Sequence, residues 1–250
     1  MLTRQVAVLL AAAPLALAAC GGGGGSEPDS ARAERQGAAA LKRTIETMKR
    51  KGTAAFTLSY RSEGVPAGQS GFRARGGGLI DLRHVRSRYR VHYVQAPQGR
   101  SGSEVDFFSD RSATFARPAG RGRYRRQRPS LVANGPADSL QYIATDGVGV
   151  RRTGTGTVAG RTCTRYAGRL DFARIRRRAR PSRRAEFDRK SRGIRSLPFS
   201  VCIDAGGVLR EYRVDIRAPG AGGAVLHLTS RFTRVGSAEP IGALAAADKA

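Results

Sequence analysis

The chain reads as α+β, with one large curved antiparallel sheet and helices gathered on one of its faces. Three observations carry this reading. Residues 31–51 place apolar side chains at helical spacing. From Phe56 to Gln127 the apolar period shortens to two and turns interrupt it. A helical stretch intervenes, and the period of two then returns through to Phe232.

In order, Asp29 or Ser30 can cap a helix beginning near Ala31. Ala38, Leu41, Ile45 and Met48 form its apolar stripe, and Lys49, Arg50 and Lys51 precede a closing Gly52. The stripe suits a helix covering a sheet or one plugging a cavity. Phe56, Leu58 and Tyr60 then alternate with Thr57, Ser59 and Arg61. Gly71 to Leu82 is a glycine-broken strand, and in Arg88 to Val94 the apolar phase is Tyr89, Val91 and Tyr93. Short strands are predicted at 105–109, 113–116 and 122–127, a meander with one apolar and one charged face. Residues 137–144 turn helical, and strands resume at 149–152, 156–158 and 162–170. Residues 173–192 are the densest basic stretch, two helical pieces split at Pro181 that form either a solvated face or a headgroup-facing patch. Phe199, Val201 and Ile203 begin the last meander, and Asp204-Ala-Gly-Gly207 signals its hairpin. Tyr212, Val214 and Ile216 continue the apolar phase, as do Leu226, Leu228 and Phe232. The small, polar stretch 237–250 reads as a flexible tail.

The front of the chain sets its destination. Arg4 precedes an apolar run from Val6 to Leu17, too short to span a membrane and typical of an export signal. Leu17-Ala18-Ala19-Cys20 resembles the lipobox of bacterial lipoproteins, in which the cysteine is diacylated and becomes the mature N-terminus. Residues 1–19 are thus expected to be the leader. Residues 20–30, with five glycines from Gly21, are a tether, and 31–236 are one domain. The expected location is the outer face of a bacterial cytoplasmic membrane, held there by lipid on Cys20. The two remaining cysteines, Cys163 and Cys202, lie in strand-like segments and form a disulfide in such a compartment.

The net charge of +26 comes from 45 basic against 19 acidic residues, and only five of the basic residues are lysine. With so much alanine and glycine, that bias suggests a GC-rich genome as much as a selected function. A basic domain attracts nucleic acid where it meets any, but an exported lipoprotein meets anionic headgroups and acidic envelope polymers instead. Nucleic acid is not an expected partner.

Val150-Arg-Arg-Thr-Gly-Thr-Gly-Thr-Val-Ala-Gly-Arg-Thr-Cys-Thr-Arg-Tyr166, running on to Asp171, resembles the strand pair of the LppX/LprAFG lipoproteins of actinobacteria. Phe199-Ser-Val-Cys-Ile-Asp204-Ala-Gly-Gly-Val-Leu-Arg210 looks like that family's strand-turn-strand. The resemblance spans about Ala38 to Phe232. The chain departs from it in having no tryptophan and an unusually arginine-rich insert. What the resemblance implies is a LolA-like, half-open β-barrel with helices on its concave side, carrying acylated lipids or lipoglycans between membrane and outer envelope. The expected cavity lining is Leu41, Ile45 and Met48 from the helix, with Phe56, Leu58, Tyr89, Val91 and Tyr93 from the first meander. Val201, Ile203, Leu226 and Leu228 complete it from the last. The alternative is a non-catalytic surface lipoprotein with a filled core, binding a protein partner or serving the envelope structurally.

No catalytic chemistry is legible. His84, His92 and His227 are scattered, and neither H-E-x-x-H nor Cys-x-x-Cys occurs, so no metal or other cofactor is expected. There is no G-x-S-x-G elbow. Gly154, Gly156 and Gly160 miss dinucleotide spacing by one residue and fall between strands, where they suit turns and bulges. The chain is expected not to be an enzyme.

Overall fold

The computed structural model describes residues 29–249 except 67–70, 97–99, 128–134, 179–180, 192–193 and 218–223. The expected leader, Cys20 and most of the tether lie outside the described residues. Helix α1 (Asp29–Lys51) ends at Gly52, which adopts φ +86° and returns its N–H to the Met48 carbonyl. The first meander is β1 (Thr53–Glu63), β2 (Arg73–Asp81), β3 (Arg86–Gln95), β4 (Glu104–Ser109), β5 (Thr114–Pro118) and β6 (Arg125–Arg126). Helix α2 (Pro136–Asp146) leads into the hairpin β7 (Gly147–Val158) and β8 (Arg161–Asp171). Helices α3 (Phe172–Arg178) and α4 (Pro181–Lys190) form the basic insert, and β9 (Ser196–Asp204), β10 (Leu209–Arg217) and β11 (Val225–Thr233) close the sheet's second half.

All eleven strands join one antiparallel sheet in the order β6-β5-β4-β3-β2-β1-β11-β10-β9-β8-β7. The first and last long strands meet at its centre, where β1 and β11 pair from Ala55↔Thr233 to Glu63↔Val225. The sheet does not close, since β6 and β7 are its two edges. It is nevertheless strongly curled. Helix α2 touches β2 and β3 on one side and β7 and β8 on the other. In a flat sheet β3 and β8 would stand about 29 Å apart at ~4.8 Å per strand. An eleven-residue helix is only about 16 Å long, so both halves must fold towards it.

Local sequence permits the curl. Gly76 and Gly78 of β2 face inward, and a Cβ at either would lie 2.0 or 2.1 Å from the carbonyl oxygens of Arg90 or Arg88. Gly37 of α1 makes a similar approach at the far edge. A Cβ there would stand 2.1 Å from the Val150 carbonyl oxygen, so α1 lies directly on β7 and covers part of that edge. Residues 149–158, read from sequence as two short strands, form one strand with two register shifts, and Gly154 takes φ +140° at the second. A bulge at an edge strand keeps the ladder continuous where sequence suggests a break.

The main core lies between the helices and the concave face, from Leu41, Ile45 and Met48 of α1 through Leu140 and Ile143 of α2 to Phe56, Phe199 and Tyr212 of the sheet. Cys163 and Cys202 are disulfide-bonded on the neighbouring strands β8 and β9, with Cα atoms 5.4 Å apart.

The stretch after Gly236 departs from the flexible tail expected of it. Residues 238–249 lie along the outer face of the first meander, where Ile241 and Leu244 are buried against Phe108 and Tyr124, with Leu79 and Phe115 alongside. The Tyr124 N–H donates to the Asp248 carbonyl at 2.8 Å, Arg86 reaches the Ile241 carbonyl at 3.1 Å, and Arg123 reaches that of Ala247 at 2.9 Å. The physical reason is the phase of the strands. Leu79, Phe108 and Phe115 point away from the concave core and need a cover of their own. The same strap pairs Lys249 with Tyr124, next to the two-residue edge strand β6.

Candidate functional site

The concave face is built in rows by the strand register. One row carries Tyr93, Ala74, Tyr60, Leu228 and Val214 across β3, β2, β1, β11 and β10. The next carries Val91, Gly76, Leu58, Ser230 and Tyr212, and a third carries Tyr89, Gly78, Phe56 and Phe232. Because side chains alternate along each strand, every member of these rows points into the curl.

Burial falls off in one direction along β1, β10 and β11, whereas on β3 Tyr89 and Tyr93 are both half-buried either side of buried Val91. Beside the C-terminal end of α1, Ala54, Phe56, Phe232 and Leu209 are buried. Towards the opposite end Tyr60, Tyr93, Ile216, Leu226 and Leu228 are only half-buried, although all face inward. That end carries the β1–β2, β3–β4 and β10–β11 connections and the α3–α4 insert. The concavity is therefore plugged at one end by α1 and partly uncovered at the other.

Of the expected lining, Leu41, Ile45, Met48, Phe56, Leu58, Val91, Val201 and Ile203 are fully buried in the main core. Tyr89, Tyr93 and Leu228 pack against that core half-buried. Leu226 shares their face through its pairing with Ser62 and Ile216. The structure brings the helical and sheet residues together but divides them into a packed set and a half-covered set. Sequence reasoning missed Tyr60, Phe72, Tyr212 and Ser230. Tyr60 and Tyr212 were legible as members of their alternating strands. Ser230 was concealed as a polar residue in an apolar phase.

Aromatic rings surface much of the half-covered part. Phe72 meets Tyr60 and Tyr93 edge-on, with centroids 6.0 and 5.9 Å apart, and Tyr89 stacks on Phe107 at 5.1 Å. Burial pushes the Tyr60 hydroxyl up to about 12, and the neighbouring Tyr93 adds to the shift. Burial raises Tyr89 and Tyr212 as well, and Tyr60 repels the charge on each. Tyr93 is also raised by burial, against the pull of the Arg100 guanidinium beside it. All four therefore stay neutral at ordinary pH.

Among the described residues none of the Tyr60, Tyr89, Tyr212 and Ser230 hydroxyls has a hydrogen-bond partner. Among the described residues Arg117 Nε is the only buried side-chain polar atom left without one. These hydroxyls are therefore not completely sealed, although burial is heavy around them. Tyr212 and Ser230 are each only 4% exposed.

The outer face bears a different feature, a polar groove of about 590 Å³ over β1, β11, β10 and β9. His227 sits in it with Nδ1 2.6 Å from Asp215 and Nε2 3.4 Å from Glu63. Arg213 extends from its wall to the buried Glu211, 2.7 Å away. Burial pushes the Glu211 carboxyl up, but hydrogen bonds from Arg213 and Arg231 outweigh it and hold it below the usual range. Charges in this groove are matched to one another. Among the described residues no three or more His, Cys, Asp or Glu side chains are arranged to hold a metal ion.

Fold and site together define an open, single-sheet half-barrel with helices on its concave side and an apolar, tyrosine-bearing concavity. Solved structures similar to it include the lipoprotein LppX of Mycobacterium tuberculosis, at 12% identity and TM-score 0.48 over 83% of this chain and 98% of that one. LprF of Mycobacterium bovis is similar at 11% identity and TM-score 0.44, over 84% and 97%. A LolA superfamily protein of Nitrosomonas europaea follows at 11% and 0.35, over 77% and 90%. LppX and LprF are of the lipoprotein group that the strand motifs resemble. No protein-family model matches the chain, and no curated protein is found similar to it. At this distance neither a ligand nor a partner passes from these proteins to the chain.

Proposed function

We propose that the protein binds the acyl chains of a lipid or glycolipid in the half-covered end of its concavity and serves as a non-catalytic envelope carrier. The observation that carries this reading is the burial gradient. Inward-facing Tyr60, Leu226 and Leu228 stay partly uncovered while Leu58, Phe56, Ser230 and Phe232 nearer α1 are sealed. Apolar surface left open in a concavity gains about 25 cal/mol per Å² when a chain covers it. Binding alone accomplishes this, without any bond being made or broken. At the rim, Arg100 stands beside Tyr93 and forms no ion pair with a described residue. It suits an anionic headgroup. Attachment to the outer face of the membrane through lipid on Cys20 is part of the same proposal.

The filled-core alternative draws support from the α1 end, where Leu41, Ile45 and Met48 pack flat on their neighbours. Native mass spectrometry with lipid extraction separates the two, applied to a secreted form lacking Cys20 and purified from its own host. A stoichiometric acylated species establishes the carrier. Protein that arrives without lipid and takes up no acyl-chain probe leaves the filled-core module.

A further inference from the structure

We propose that the concavity does not bind alkyl chains indifferently but reads the ester carbonyls that join them, through the hydroxyls of Tyr60, Tyr89, Tyr212 and Ser230. This rests on the concavity being the lipid site and adds the chemical class of its ligand. The four groups occupy adjacent rows of one concave face. Tyr212 and Ser230 are directly paired across β10 and β11, and Tyr60 lies one row further along β1. None has a partner among the described residues, and none is completely sealed.

Such hydroxyls are solvated only until something apolar arrives. A chain that enters strips their water, and the protein supplies no replacement. Leaving one such donor unsatisfied costs about tenfold in affinity. A simple hydrocarbon therefore meets a penalty where an ester carbonyl, an acceptor with no proton to place, meets a donor. Phenol hydroxyls held neutral by burial remain donors throughout the ordinary pH range. An apolar pocket with a few convergent polar groups fixes the depth and orientation of its ligand as well as its identity.

The test uses the chain from Gly21 onward, which carries every residue of the described core, and two fluorescent probes. One is a diacylglycerol; the other is the dialkyl diether of the same chain length, which keeps the chains and loses the carbonyls. The expected result is that the diester binds about tenfold more tightly. Tyr60→Phe and Tyr212→Phe should each erode that preference chiefly by raising diether affinity, since no donor is then left stranded, and the triple variant with Tyr89→Phe should reduce it to what Ser230 alone supplies. Equal binding of both probes by the unsubstituted protein overturns the inference and leaves the carrier reading intact. Failure to bind either probe overturns the carrier reading. Thermal unfolding of the lipid-free variants supplies a second check. Removing a hydroxyl without a protein partner should leave the midpoint unchanged or raised, and a fall would reveal a partner within the fold.

Discussion

Tyr60 and Tyr93 stand either side of the small Ala74 in one cross-strand row, and Phe72 touches both rings. Their environment has a consequence at alkaline pH. The Tyr60 pKa rises from 10.0 to about 12 in the folded protein. Above pH 10 the unfolded chain releases this proton while the folded chain retains it. Stability linked to Tyr60 is therefore fully present below pH 10 and lost progressively as pH rises towards 12, with Tyr89 and Tyr212 acting in the same direction. Urea midpoints measured from pH 8 to 12 should fall across that window. Tyrosinate absorbance should show Tyr60, Tyr89 and Tyr212 ionising above the range of free tyrosine. A midpoint independent of pH there, with all tyrosines titrating near 10, would contradict their burial. The rows also show where residue-level reading stops. Alternation marks Tyr60 as inward-facing, but whether its hydroxyl finds a partner depends on strands β3 and β10, far away in sequence.

Elements show the same limit. The helix of 31–51, the short strands and the Pro181 break were legible because each depends on neighbours within a few positions. The second cover was not. Sequence after Gly236 is small and polar, without a period, and nothing local binds it to a surface. Its anchorage comes from the outward phase of Leu79, Phe108 and Phe115, which only the register of β2, β4 and β5 reveals. Replacing Ile241 or Leu244 with Asp should therefore destabilise the whole domain, by roughly 2–4 kcal/mol for a charge introduced at a buried apolar site. The measurement is denaturant unfolding at neutral pH. Unchanged stability in both variants would mean that the strap contributes nothing to the fold.

For the molecule as a whole, net charge and anchorage belong together. On the proposed anchorage, a strongly basic chain, +26 with its leader, would be held to an anionic surface both by inserted acyl chains and electrostatically, and only the second component weakens with salt. Cys20→Ser should thus move the protein from the membrane to the soluble fraction once ionic strength is raised. Fractionation at low and high salt reads both components. Retention on the membrane at high salt would show that Cys20 is not the anchor.

The sequence by itself determined the element types and most of their positions, the inward phase of β1, β3, β9, β10 and β11, and the pairing of Cys163 with Cys202. All of these follow from short-range periodicity, composition or counting. Tertiary structure alone decided that β1 pairs with β11, that the sheet curls far enough for α2 to touch both halves, and that residues 238–249 form an outer strap. It also divided the apolar face into a packed end and a half-covered one. A filled core and a lined concavity require the same alternation of side chains. The difference lies in how far the helices reach along the sheet, a distance set by packing between segments that no local pattern encodes.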